Sequence, residues 1–319
     1  MKRWILDVAL AILLVWSVSI LASVTAQRIR EQTASPTTEQ TKPPILCTVG
    51  LLRGDAVTFL PLDEYLTGVL LCEVDANFHD TAKQAQAIAA RTYALRVIGA
   101  GTKHGEGIIC DRPECCQGYI SPEEYAEKWN VTHPVESARQ AVEVTKDRVI
   151  TYRGQLIDAT YFSCSGGATE DARAVWGADV PYLRSVDSPG EEDADHYLQT
   201  VSFTPKEFFD KLGLEFTGRP AGWIGDWVYT AGGGVASVSV CGVTFTGTQL
   251  RSKLGLRSTM FYITSTAESI LVTTKGFGHR VGMSQYGADA MAEGGASCED
   301  IIKHYYTGVE IVGYGESRD

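Results

Sequence analysis

The stretch that most constrains this fold is residues 61–99, PLDEYLTGVLLCEVDANFHDTAKQAQAIAARTYALRVIG. It reads as a short helix, an irregular link and a long helix. Pro61 suits a first helical turn, and Leu62, Leu66, Val69 and Leu70 recur at helical spacing. Thr81 followed by Gln84 fits a capping box. Ala85, Ile88, Ala89, Thr92 and Leu95 form one small-residue face suited to close packing, and Gly99 is a natural stop. One acid, Glu73, sits in the link among Leu70, Leu71, Cys72 and Val74. An apolar collar disfavours a carboxylate's charged form, which keeps an acid protonated near neutral pH. A solvated loop acid is the alternative reading. Arg91 follows on the long helix, after Gln84 and Gln86.

The chain around this pair has 319 residues. Residues 4–26, WILDVALAILLVWSVSILASVTA, are long and apolar enough to span a bilayer. Lys2 and Arg3 precede them, which predicts a cytoplasmic N-terminus with the remainder outside. A cleaved signal peptide is the alternative. Residues 27–44, rich in Thr, Gln, Glu, Ser and Pro, read as a flexible tether. Residues 45–319 are then the folded, extracytoplasmic part. A net charge of -11 excludes nucleic acid as a partner, because phosphates need a basic surface, and leaves a neutral sugar backbone compatible.

Residues 45–60 predict a hairpin about Arg53-Gly54-Asp55. Residues 100–120 read as a loop dense in Gly and Cys. Ser121-Pro122-Glu123-Glu124 opens a helix, and a second helical run lies near 134–145. Strands RVITYRG and QLIDATYFS follow, with a turn at Gly154-Gln155. The acidic loop at 186–200 reads as solvated. Residues 201–263 hold two helices and a strand-rich patch, a possible subdomain. The chain closes with a strand, GHRVGMSQYGADAMAEGG and a final helix. Without strict alternation the class is α+β, mixed helices and antiparallel strands around a substrate cleft.

Of eight cysteines, only Cys110, Cys115 and Cys116 cluster. His104 precedes Cys110 by six residues and Cys116 follows it by six. Thiolates with an imidazole at short range suit zinc. A Cys110–Cys116 disulfide or free thiols are the alternatives.

The segment LDEYLTGVLLCEVDANF with AKQAQAIAARTYAL resembles the signature of the stage II sporulation protein D family, related to amidase-enhancer proteins. CCQGY at 115–119, YFSCSGGATE at 161–170, PYLRSV at 181–186, LRSKLGLRST at 250–259 and GFGHRVGMSQYGA at 276–288 match in the same order. The resemblance implies a membrane-anchored lytic transglycosylase that cleaves the linkage of N-acetylmuramic acid (MurNAc) to N-acetylglucosamine (GlcNAc) in peptidoglycan. It implies septal wall remodelling and engulfment in endospore formation, from the mother-cell engulfing membrane. The implied substrate is glycan stripped of stem peptides, and the implied partners are an amidase-endopeptidase and a multi-span membrane protein.

By the same resemblance Glu73 is the catalytic acid and Arg91 an essential Arg that orients substrate or stabilises charge; a salt bridge between the helices is the bland reading of Arg91. Zinc in a subset of the family implies the ligands His104, Cys110 and Cys116, a three-ligand set with an open fourth position. The Cys-Gln-x-Tyr register selects Cys116 over Cys115. Tyr161, Ser165, Arg184, His279, Ser284, Gln285 and Tyr286 are expected to line the substrate cleft. Three positions depart from the family pattern: Arg184 for Lys, Cys164 for Thr or Ser, and Arg280 for Gly.

The implied chemistry needs one carboxyl group. It protonates the glycosidic oxygen and, as a base, helps the substrate's own 6-hydroxyl attack C1, leaving a 1,6-anhydro sugar. Two rivals are a non-catalytic glycan-binding module that stimulates an amidase, and a hydrolase using Cys164 with His279 as base.

Overall fold

The structure, a computed structural model, describes residues 48–215, 223–266 and 268–314. The expected anchor at 4–26 and tether at 27–44 lie outside the described residues. Among the described residues no helix is long and apolar enough to cross a membrane.

The predicted hairpin is present: Thr48–Arg53 pairs antiparallel with Ala56–Pro61, turning at Gly54 with φ 60°. The Cys-rich loop is not all irregular. Its segment Ile108–Cys110 adds to the hairpin as a parallel strand, with Cys110 opposite Leu52. Parallel pairing recurs where Met283–Ser284 lies beside Tyr161–Phe162. The sheets are therefore mixed, where antiparallel strands alone were expected.

The first helix runs Leu62–Glu73 and the long helix Asp80–Ala100. The link is shorter than the sequence suggests, and Glu73 is the last residue of the first helix. The long helix is capped by His79, whose ring accepts the Thr81 N–H, so Thr81 lies inside it; the stop is Gly101 at φ 79°. Its small residues do more than form one face. Ala87, Ala90 and Ala94 enter one hydrophobic core with Tyr65, Leu66 and Val69. Ala85, Ile88 and Ala89 enter a second with Met283, Ile301 and Tyr305. A helix of Ala and Ile lets neighbours approach on both sides, so it serves as the central rod.

Helix His133–Val144 packs on this rod and on the first helix, and helix Pro122–Trp129, with the expected Ser121/Glu124 capping box, packs on the first helix and on His133–Val144. Arg148–Tyr152 turns through Arg153-Gly154 to Gln155–Leu156 and pairs on its other edge with Glu310–Gly313. The chain end expected as helix is thus helix Cys298–Tyr305 followed by a strand.

Residues 198–275 build a third core of their own from Phe208, Phe209, Val238, Leu250, Ile270 and Val272. The chain enters through Leu198–Phe203 and leaves through the antiparallel neighbour Ile270–Lys275. Helix Gly247–Leu254 caps this part with a Thr246/Gln249 box and buries Leu250 and Leu254.

Candidate active site

A cleft of about 660 Å³ opens at the C-terminal end of the first helix. Glu73, Tyr161, His279, Gln285 and Tyr286 line it together, as expected. They come from three distant stretches: the parallel pairing of Tyr161–Phe162 with Met283–Ser284 joins two of them, and Gln285 reaches Glu73 on the third.

Glu73 is half-buried. Burial raises its pKa; hydrogen bonds from the Gly118 N–H to Oε1 at 2.7 Å and from Gln285 Nε2 to Oε2 at 3.4 Å act against that shift. No cation is among the causes of its shift. The neighbours in sequence do not form the expected collar: Leu70 and Leu71 are buried in the core below, and Cys72 is exposed. Gly118 fits for a steric reason, since a Cβ there would sit 2.8 Å from both Glu73 Oε1 and Cys72 Sγ. The next residue back, Gln117, is buried. It accepts from Tyr65 Oη at 3.0 Å and donates to Tyr161 Oη at 2.8 Å, tying the first helix, the Cys loop and the cleft wall. Burial, then the nearby Glu73 charge, push the Tyr161 phenol well up, so it stays protonated.

His279 is a wall. Its Nδ1 accepts the Val281 N–H at 3.1 Å, and its ring lies 5.5 Å from Phe162 and 5.3 Å from Trp176. Burial first, then the positive charge of Arg251, lower its pKa to about 4, so it is neutral at neutral pH.

Four expected residues are elsewhere. Arg91 is buried under the C-terminus of helix His133–Val144. It donates to the carbonyls of Thr145 at 2.7 Å, Val142 at 3.0 Å and Arg148 at 3.4 Å, with Asp63 at 3.9 Å. A cation on orphan helix carbonyls suits a brace, and Arg91 is not among the residues that line the cleft. Arg184 faces outward and pairs with Asp171 at 3.1 Å and Asp179 at 2.7 Å. Ser165 and Ser284 are fully buried and donate to Glu191 at 2.8 and 2.5 Å.

The loop at 186–200 is largely exposed as expected, but Glu191 within it is 1% exposed and corrects that reading at its own position. It also accepts from the Ser165 and Gly166 N–H groups, Ser188 Oγ and Cys164 Sγ. This carboxylate clamps the SCSGG turn to the Gln285 segment, fixing two walls of the cleft. No sequence signal marks it beyond the preceding Ser-Pro-Gly. The Cys164 thiol, bonded to Glu191, is pushed up by burial and then by the Glu191 charge, the reverse of what a thiolate nucleophile needs. Arg280, at φ 65°, adopts a conformation that suits the Gly it replaces. Its buried guanidinium compensates with bonds to Ser165 O, Ala168 O and Gly232 O and a 3.1 Å pair with Glu170.

The metal candidates gather at the cleft rim, with an addition. His104, Cys110, Cys115 and Cys116 place their ligand atoms within 4.8 Å of one another. Cys115, set aside on register, belongs to the group, because a turn directs both N–H groups to Arg112 O and leaves the two sulfurs 3.7 Å apart. His104 Nε2 lies 3.2 Å from Cys115 Sγ. One imidazole and three thiols at these spacings suit a tetrahedral soft-metal shell, whose ligands stand ~3.5–3.8 Å apart. Cys115 and Cys116 also line the cleft.

The family model described as "Stage II sporulation protein" matches residues 53–152. The chain is 39% identical to stage II sporulation protein D of Bacillus amyloliquefaciens, over 90% of this chain and 84% of that one. It is 35% identical to the protein of that name in Bacillus subtilis strain 168, over 98% and 96%. It is 27% identical to the amidase enhancer of the same strain, over 78% of this chain but 40% of that longer one.

Proposed function

The chain belongs to the stage II sporulation protein D family, and on that premise we propose that it is a peptidoglycan lytic transglycosylase with Glu73 as its acid and base. The observation that carries this reading is a single half-buried carboxyl group, its pKa raised by burial, at the wall of a cleft of aromatic, amide and hydroxyl groups. Protonated Glu73 gives its proton to the oxygen leaving MurNAc C1, and the C1–O bond breaks. The carboxylate, steadied by the Gly118 N–H, then takes the proton of the same sugar's 6-hydroxyl as its oxygen bonds C1. Glu73 ends protonated, and the product is a 1,6-anhydro-MurNAc end. The exposed Glu114 also borders the cleft, but this route needs no second carboxylate.

His104, Cys110, Cys115 and Cys116 would hold zinc, which would brace the loop carrying Gln117 and Gly118. Four protein ligands give a closed, structural shell, in place of the open three-ligand site. The apolar run at 4–26 would anchor the chain with its folded part outside the cell membrane. Engulfment partners, an amidase-endopeptidase and a multi-span membrane protein, and peptide-stripped strands as substrate complete the reading.

A second reading, a glycan-binding module that stimulates an amidase, is favoured by the likeness to a protein named amidase enhancer. Digestion of peptide-free glycan strands by the detergent-solubilised full chain, analysed by mass spectrometry, separates them. Anhydro-muramic ends from the parent and none from Glu73→Ala are expected. Reducing ends would mean a hydrolase, and no products from the folded, zinc-loaded parent would sink the transglycosylase.

A further inference from the structure

One cleft residue has no part in the chemistry above. Arg251 is the one Arg or Lys among the described residues that line the cleft. No hydrogen bond or ion pair engages its guanidinium among the described residues. The other basic groups at or beside the cleft lining are engaged or neutral. Arg257 stacks on Phe277 at 5.3 Å and reaches His196 Nδ1 at 3.5 Å, and His279 is uncharged at neutral pH. Burial alone lowers the Arg251 pKa, and no carboxylate contributes to it. An Arg half-removed from water with no acid beside it is costly to maintain unless an anion completes it.

The backbone under Arg251 is fixed. Leu250 and Leu254 anchor its helix in the third core, the Thr246/Gln249 box closes one end, and Gly255 in the left-handed conformation closes the other. The side chain is thereby directed into the cleft near His279. It makes no hydrogen bond or ion pair with Glu73, whose partners are Gly118 and Gln285, and it lines the cleft as a separate polar group.

We propose that Arg251 is an anion subsite that takes the free lactyl carboxylate of a muramic acid residue and so selects strands whose stem peptides have been removed. The inference rests on the glycan reading above. In a stripped strand every muramic residue ends its lactyl group in a carboxylate. In a substituted strand that group is a neutral amide, bulkier and without charge. A chain of net charge -11, with the exposed Glu114 at the same cleft, otherwise repels such a polyanion. A planar guanidinium fork suits a carboxylate, and the pair gains strength where water is partly excluded.

The test is calorimetry on the detergent-solubilised full chain carrying Glu73→Gln, so that ligands are bound and not cut. The probes are a peptide-free GlcNAc–MurNAc tetrasaccharide and the same molecule with both lactyl carboxylates converted to methylamides. The free acid is expected to bind about tenfold to a hundredfold tighter, the range for a charge-assisted pair. Adding Arg251→Gln removes that difference and leaves methylamide affinity unchanged, whereas Arg251→Lys restores part of it. Equal affinities in the parent, or a preference that survives Arg251→Gln, overturn the subsite. Binding of neither probe overturns the glycan reading and the subsite with it. Discrimination through Arg251 in a chain that makes no anhydro products refutes the transglycosylase alone.

Discussion

Gly118→Ala isolates the second environment that Glu73 depends on. Gly118 is not in a left-handed conformation, so the backbone accepts Ala. The added Cβ would stand 2.8 Å from Glu73 Oε1, and the carboxylate must retreat by about 0.6 Å to reach ordinary contact at 3.4 Å. The crowded atoms are the ends of two flexible side chains, Glu73 and Cys72, so steric strain adds little, and any fall in Tm, at most roughly 3–12 °C, comes from the weakened Gly118 bond. Function changes more. The 2.7 Å bond from the Gly118 N–H is lengthened or broken, and a charge-assisted bond contributes about 1.5–3 kcal/mol. Misplacement of a reacting group compounds this, so turnover of peptide-free strands is expected to fall at least tenfold and as much as ~100-fold. The pH profile gives an independent sign. The N–H bond favours the charged form, so its loss lets burial raise the Glu73 pKa further. The protonated acid then persists to higher pH, and the basic limb of kcat/KM moves up. Anhydro-product release followed by mass spectrometry across pH reads both effects. A wild-type rate with an unmoved basic limb would refute the role of this contact.

Arg91→Ala tests the brace: losing a buried cation on the helix carbonyls costs ~3 kcal/mol, a Tm drop of roughly 6–12 °C, while kcat per folded molecule well below Tm stays near wild type. A large kcat loss at unchanged Tm would return Arg91 to the chemistry. Cys115→Ser is expected to weaken zinc retention against a competing chelator and to lower Tm in the zinc-loaded protein; unchanged retention would leave His104, Cys110 and Cys116 as the whole site. Glu73→Gln should melt higher than wild type at pH 7. Because the folded state raises the Glu73 pKa, stability held at low pH is lost as pH rises through that value, and Gln escapes the loss. The difference should vanish below the ordinary carboxylate range, and one that persists at pH 3 would contradict burial as the cause.

Much of this molecule is legible in the chain itself, wherever the signal is local. Helical periodicity at 62–70, the Ser121/Glu124 box and the Gly54 turn each bring their own partners within a few residues, so sequence determines them. The order of motifs also singles out Glu73, Gln285 and Tyr286, which the fold brings to one cleft. Tertiary structure decides what these residues face. Arg91 and Arg184 are equally charged on paper, yet one caps a buried helix end and the other pairs with two surface acids. Glu191 lies in an acidic run that reads as solvated, yet donors from residues 164–166, 188 and 284 converge on it. Cys115 joins the metal group only because a turn at Arg112 brings consecutive sulfurs together. Periodicity encodes which face of an element is apolar. The charge state and partner of a polar side chain depend on desolvation and on donors far away in sequence, and those exist only once the chain has packed.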